Sequence, residues 1–335
     1  MNIAVVDRLC AHSHRPGHEV LIPGTTWKVR AFPVLLEIFS CETKEHISCP
    51  LMIEGPIDPF TVEQDIDSSC VRVYGMSRHG YFRLKIVQEE SALWLHVEKG
   101  PNSLGPTRLL VTISSKKILS KERLFLGSYK NKDWTCIRKQ RDLATLLPLW
   151  FALGNMTSHA LQSCPLLDEL RHAIAVKDKH ATYQALINLY LAGFSEGLVP
   201  RRQDDEWQGI LSHDVTDDAM SLLTGGAQCI RSCFIQEEAH AYHILPCVPS
   251  KFSCGKIFFL QTKQGDRMAI EWSKGRIRKM MLFGIAERAL YCQFPKEIKN
   301  FRLRTNLKDR GSTVRTQEMV TVMPNTWLFF DRFME

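Results

Sequence analysis

No apolar run in this 335-residue chain is long enough to cross a bilayer. The longest, Leu143 to Leu153, is broken by Thr145 and Pro148 and falls short of the roughly 20 residues a spanning helix needs. No secretory leader is expected, because Ile3 to Val6 is too short an apolar core and Asp7 follows it directly. Regular cysteine spacing is absent. The 11 cysteines are odd in number and irregularly placed, which excludes the disulfide framework of a small secreted domain. Reduced, mostly buried thiols in a cytoplasm-like compartment are the expectation, in a soluble chain without a membrane span. No P-loop or dinucleotide fingerprint occurs, no internal repeat or low-complexity tract is visible, and no cofactor is implied.

Apolar residues make up 44% of the chain and charged residues 24%, enough to bury a sizeable core. The net charge of +7 is unevenly spread. From Lys251 to Arg315 there are 16 Lys or Arg against 5 Asp or Glu, so the rest of the chain is net acidic. Such asymmetry fits either an anionic partner or strands with basic solvent faces.

The hydrophobic period divides the sequence into three. Val71 and Val73, then Phe82, Leu84 and Ile86, then Leu93, Leu95 and Val97 alternate with polar neighbours, as strands with one buried face do. Gly55-Pro56, His79-Gly80 and Gly100-Pro101 supply the turns between strands. From about Asp133 to Phe194 the spacing becomes helical, with Leu166, Leu170, Ala173 and Ile174 on one face. Ser163 and Pro165 suggest a cap and first turn, and Pro148 a kink. Gly225-Gly226 reads as a turn. Alternation returns after Tyr242, with Met268, Ile270 and Trp272 on one face and Lys274-Gly275 as a hairpin turn. The predicted fold is mainly β (α+β), with two antiparallel β-sandwich-like domains flanking a short helical segment. Its parts are a flexible N-terminus (1–17), an N-terminal sandwich (18–130), a helical segment (131–239) and a C-terminal β domain (240–335).

The stretch His243-Ile-Leu-Pro-Cys-Val-Pro249, followed by Phe252, Cys254-Gly255 and Ile270-Glu-Trp-Ser-Lys-Gly-Arg-Ile277, resembles the end of the catalytic domain and the start of the C-terminal β domain in bacterial α-L-fucosidase and α-L-galactosidase glycoside hydrolases. The resemblance covers about residues 224–283. It implies an N-terminal β-sandwich, shared ancestry with carbohydrate-active enzymes and a last barrel helix over Gly225 to Phe234. It also implies a missing part. That family's (α/α)₆ barrel carries its acid and base, and about a dozen helices do not fit between the β domains here. No catalytic residue therefore carries over. The remainder of the chain resembles proteins of the chlamydial kind, which brings no function with it.

Four groups of polar residues remain as candidate sites. Asp204, Asp205 and Glu206 could supply an acid and a base, with Trp207 to stack on a sugar and Arg201 and Arg202 to bind ligand. Two carboxyl groups about 5–9.5 Å apart are required, which adjacent residues seldom provide, so a second acid such as Asp168 or Asp214 would be needed. Cys10, His12, His14 and His18 have metal-like spacing, although only His14 and His18 match half of a structural zinc pattern. His240, His243, Cys247 and Cys254 form a looser set, expected to serve strand and turn packing. Arg276, Arg278, Lys279, Lys299, Arg302 and Arg304 could contact phosphates, with Arg276 aligned to Arg278 and Arg302 to Arg304. Three functions follow: a non-catalytic binding or interaction protein derived from a carbohydrate enzyme, a reduced glycoside hydrolase, or a nucleic-acid or polyanion binder with a basic C-terminal face. The partner is a carbohydrate or protein in the first case and a nucleic acid in the last.

Overall fold

The computed structural model describes residues 8–113, 118, 120–128, 130, 132–157, 159, 162–203 and 218–334. Within them, residues that alternate in the sequence become strands. Val71 and Val73 are buried on Cys70–Ser77 and stand opposite Ile86 and Leu84 of Gly80–Glu89. These two strands are central in a six-stranded antiparallel sheet ordered Cys10–Ser13, Phe60–Asp65, Cys70–Ser77, Gly80–Glu89, Ala92–Lys99, Arg108–Thr112. A four-stranded antiparallel sheet, His18–Leu21, Trp27–Phe32, Leu35–Ser40 and His46–Pro50, buries Val29, Ala31, Leu36 and Ile38 in the same core. Gln64 ties the two sheets by donating to the Leu21 carbonyl at 2.6 Å.

In the N-terminal segment, residues 10–13 form the edge strand of the larger sheet, paired with Phe60–Asp65. Burial of Ala11 and Ser13 and a hydrogen bond from His12 N–H to the Lys132 carbonyl (2.9 Å) account for this.

Five α-helices follow among the described residues: α1 (Trp134–Gln140), α2 (Leu143–Met156), α3 (Pro165–Ala175), α4 (Lys179–Gly193) and α5 (Met220–Phe234). Asp133 caps α1 and Asp178 caps α4, each accepting from backbone N–H groups of the first turn. Helix α2 is buried on almost every side, so its sequence has no polar face, and it continues through Pro148. Pro165 is the first helical residue of α3 as expected, yet Ser163 is not its cap. The Ser163 hydroxyl donates to the Asp168 carboxylate instead, at 2.6 Å. Gly225-Gly226 is not a turn. Both lie inside α5, where a Cβ on Gly226 would sit 2.2 Å from the Trp150 ring of α2.

After α5, a four-stranded sheet contains Ile235–Glu238, Ala241–Ile244, Arg288–Gln293 and Met319–Val322, with Ala241–Ile244 parallel to Arg288–Gln293. A seven-stranded antiparallel sheet is ordered Arg123–Phe125, Gly255–Gln261, Arg267–Ser273, Arg276–Gly284, Thr326–Met334, Asn300–Arg304, Ser312–Arg315. Its first strand comes from ahead of the helices, so this sheet extends across the expected boundary at residue 130. The Lys274-Gly275 hairpin turn is present, with positive φ at both residues (54° and 71°). One continuous apolar core links both β regions and the helices, from Leu9 to Phe330. No helix among the described residues is long and apolar enough to cross a membrane.

Candidate functional site

A cleft of about 730 Å³ opens beside the Arg267–Ser273 and Arg276–Gly284 hairpin. Residues of the 245–253 and 272–277 segments build its wall. Backbone N–H groups of Leu245 and Cys247 donate to the Phe234 and Cys233 carbonyls, so the Leu-Pro-Cys-Val-Pro segment runs along the end of α5. Trp272 is only 2% exposed. Its indole N–H donates to the Phe252 carbonyl at 2.9 Å and its ring packs 5.3 Å from that of Phe234. Gly255 is required beside it, since a Cβ there would lie 2.3 Å from the indole. Gly275 N–H donates to the Ser253 carbonyl at 2.7 Å and so ties the hairpin tip to the wall. The Trp-x-x-Gly motif is thus a packing device that holds the hairpin at the mouth of the cleft.

Polar groups at the cleft are mostly cationic. Lys179 comes from the first turn of α4, Lys274 from the hairpin tip, and Arg276 and Arg278 from the strand beyond it. Glu297 is the single carboxylate among the described lining residues. A β-bulge accounts for the two arginines. Trp272 pairs with Ile277 and Glu271 with Lys279, so Arg278 is the extra residue. The bulge keeps Arg276 and Arg278 exposed while Ile277, Met280 and Leu282 all face the core. It also turns Lys279 away from the cleft, opposite Glu271. Ile298, Pro295 and Phe333 give the cavity an apolar side.

The remaining basic candidates are placed elsewhere. Arg302 and Arg304 align as expected, but both close on Asp331, Arg302 through two hydrogen bonds at 2.7 and 3.0 Å. Burial would raise the Asp331 carboxyl, yet the two arginines hold it below the usual carboxylate range. Lys299 is exposed beside the turn that borders the cleft. The anticipated stripe is therefore divided, with one pair on the cleft and the other committed to an ion pair.

Asp204, Asp205, Glu206, Trp207 and Asp214 lie outside the described residues. Arg201 is described, and it serves the end of α4: its Nε donates to the Ala192 carbonyl at 2.9 Å, and Nη2 reaches Leu191. Arg202 reaches the Glu42 carbonyl at 3.5 Å. Asp168 is exposed and engaged by Ser163 and by Arg171 at 2.9 Å. Another pair of acids, Glu122 and Glu237, flanks Arg231. Both also accept backbone N–H groups, from Gln261 and Lys263 respectively, which commits them to joining strands. Gly193-Phe194-Ser195-Glu196-Gly197 has the G-x-S-x-G spacing, but it begins in the last turn of α4 and not between a strand and a helix. The buried Ser195 hydroxyl finds no hydrogen-bond partner among the described residues, so no base activates it.

Metal-type residues are also redistributed. His12 and His14 converge with Asp133, a residue the sequence pattern did not single out. Cys10 faces Glu63 and Asp65, and burial together with these carboxylates pushes its thiol up to about 12. His18 is buried with Nδ1 3.4 Å from Glu196. His243 pairs with Glu238 at 2.7 Å, and Cys247 lies 3.3 Å from the Thr182 hydroxyl, both in strand and helix packing. The signal for Asp133 was its place just ahead of a helical pattern; nothing local related it to His12. Lys179 and Lys274 carried no signal beyond their charge.

Set against models of known protein families and against curated protein sequences, the chain matches none.

Proposed function

We propose that the protein is a non-catalytic binding protein, derived from a carbohydrate-active enzyme, whose cleft takes a small anionic ligand such as an acidic or phosphorylated sugar. The observation that carries this reading is the composition of the cleft. Four cations, Lys179, Lys274, Arg276 and Arg278, border a partly apolar cavity with one carboxylate, Glu297. Charge-assisted hydrogen bonds from such side chains suit phosphate or carboxylate oxygens. Glycoside cleavage needs two carboxyl groups across the scissile bond, and one is available at this cleft. A concave site also suits a compact ligand better than an extended strand, which is read along a groove with stacking aromatics. The eleven unpaired thiols fit a reducing compartment, and a cytoplasmic location goes with this proposal.

The test is a thermal-shift and calorimetry series with galactose, fucose, galacturonic acid, galactose 6-phosphate and a short DNA, each at low and high salt. Binding confined to the folded state adds about 2.7 kcal/mol of stability at a hundredfold excess over Kd. The expected result is a shift with galacturonic acid or galactose 6-phosphate, weakened at least about tenfold in an Arg276→Glu/Arg278→Glu variant. A shift with DNA alone, lost at high salt, would instead assign the basic face to nucleic acid. Turnover of a glycoside that disappears in Asp205→Asn or Glu206→Gln would overturn the non-catalytic reading.

A further inference from the structure

The strand Cys10–Ser13 ends one flank of the six-stranded sheet, and its outer side is covered by the residues just ahead of α1. That contact is specific. His12 N–H donates to the Lys132 carbonyl at 2.9 Å, and His12 bridges to Asp133 in parallel. The consequence is a meeting of three side chains from two distant parts of the chain. One nitrogen from His12, one from His14 and one carboxylate oxygen of Asp133 all lie within 4.8 Å of one another. The two imidazole rings stand 5.0 Å apart at 59°.

Each group is prepared for the same chemistry. His14 Nδ1 lies 3.0 Å from the Thr61 hydroxyl, and a proton held there leaves Nε2 with a free lone pair. His12 is partly buried on the edge strand. Asp133 Oδ1 accepts the Cys136 N–H at 2.9 Å as the helix cap, which fixes the carboxylate in place.

We propose that His12, His14 and Asp133 form a binding site for a first-row divalent cation, zinc by the nature of its donors. Two imidazoles and a carboxylate are ordinary zinc donors, bound at about 2.0–2.2 Å. Tetrahedral donors at that distance are about 3.3 Å apart. The three donors, within 4.8 Å of one another, close toward that separation to share an ion. Through this ion the edge strand would be joined to α1, closing a loop of the chain from residue 14 to residue 133.

Untagged, EDTA-treated full-length protein would be titrated with Zn²⁺ by calorimetry and with Co²⁺ by absorption spectroscopy. One equivalent should bind, Zn²⁺ should raise the melting temperature, and Co²⁺ should give the intense visible bands of a tetrahedral site. His14→Ala and Asp133→Asn should each weaken Zn²⁺ at least about tenfold. Asn caps a helix as well as Asp does, so Asp133→Asn should remain folded, with an unchanged melting temperature in EDTA. No binding by the parent protein, or affinity unchanged in both variants, would overturn the site.

Discussion

Asp65 shows how one buried charge organises its surroundings. Its carboxylate is fully buried at the end of Phe60–Asp65, where it meets Arg72, Arg8 and the Ser68 N–H. Burial acts to raise its pKa, but the hydrogen bonds from Ser68, Arg72 and Arg8 outweigh it and hold the group at about 2. A carboxyl near 3.9 when unfolded and about 2 when folded stabilises the protein above pH ~4 and loses that contribution as the pH falls toward 2. The contribution is on the order of 2 kcal/mol. Urea unfolding at pH 6 and at pH 2.5 should show the loss. In Asp65→Asn the step between the two pH values should shrink, and stability at pH 6 should fall by about 2 kcal/mol, because Arg8 and Arg72 lose the carboxylate between them while Arg72 keeps Glu63 and Glu98. An undiminished step in the variant would place the acid sensitivity elsewhere. The sequence showed Asp65 only as a polar residue in a strand. Its partners come from Arg8 and Arg72, and pairing across strands of unknown register cannot be read locally.

The packing of α2 on α5 is the clearest case of an element whose sequence misled. Gly154 and Gly226 lie at the crossing, where added Cβ atoms would meet Ala227 at 2.4 Å and Trp150 at 2.2 Å. The Trp150 indole N–H donates to the Leu223 carbonyl at 3.1 Å across the same contact. Two adjacent glycines are poor for helix propensity, and for that reason Gly225-Gly226 reads as a turn. Close approach of a buried tryptophan outweighs the local preference. Gly226→Ala should therefore destabilise the protein by about 1–3 kcal/mol through overpacking, although Ala favours a helix by about 1 kcal/mol. Chemical denaturation would decide, and a stabilised variant would show that the contact relaxes freely. The strands were far more legible, because Val71, Val73, Phe82, Leu84, Ile86, Met268, Ile270 and Trp272 carry their burial in a two-residue period. The Cys10–Ser13 strand was hidden, since four residues, one of them a histidine, give too short a pattern to recognise.

At the scale of the whole molecule, the three-part division legible in the hydrophobic periods is not a division of the core. Arg123–Phe125 pairs with Gly255–Gln261, and Leu124 is buried among residues from all three parts. Helix α5 passes directly into Ile235–Glu238, so the helices and the second β region share backbone as well as side chains. Fragments 8–240 and 241–335 should accordingly fail to fold separately, as judged by circular dichroism and dispersion of amide resonances, and should be protease-sensitive. A well-dispersed spectrum from either fragment would establish an autonomous domain. Fold class followed from periodicity. The cleft did not, because it depends on a bulge at Arg278 and on the tether between Gly275 and Ser253.

The order of strands in the seven-stranded sheet has a consequence during synthesis. Thr326–Met334, the latest of its strands along the chain, lies inside the sheet, between Arg276–Gly284 and Asn300–Arg304. Earlier regions can begin to fold as they leave the ribosome, but this sheet has a vacant middle position until residues 326–334 emerge. A nascent chain stalled before residue 326 would present two unpaired strand edges at once, a ready template for mispairing. Chaperone engagement of such stalled chains should drop sharply once that final strand is free to insert.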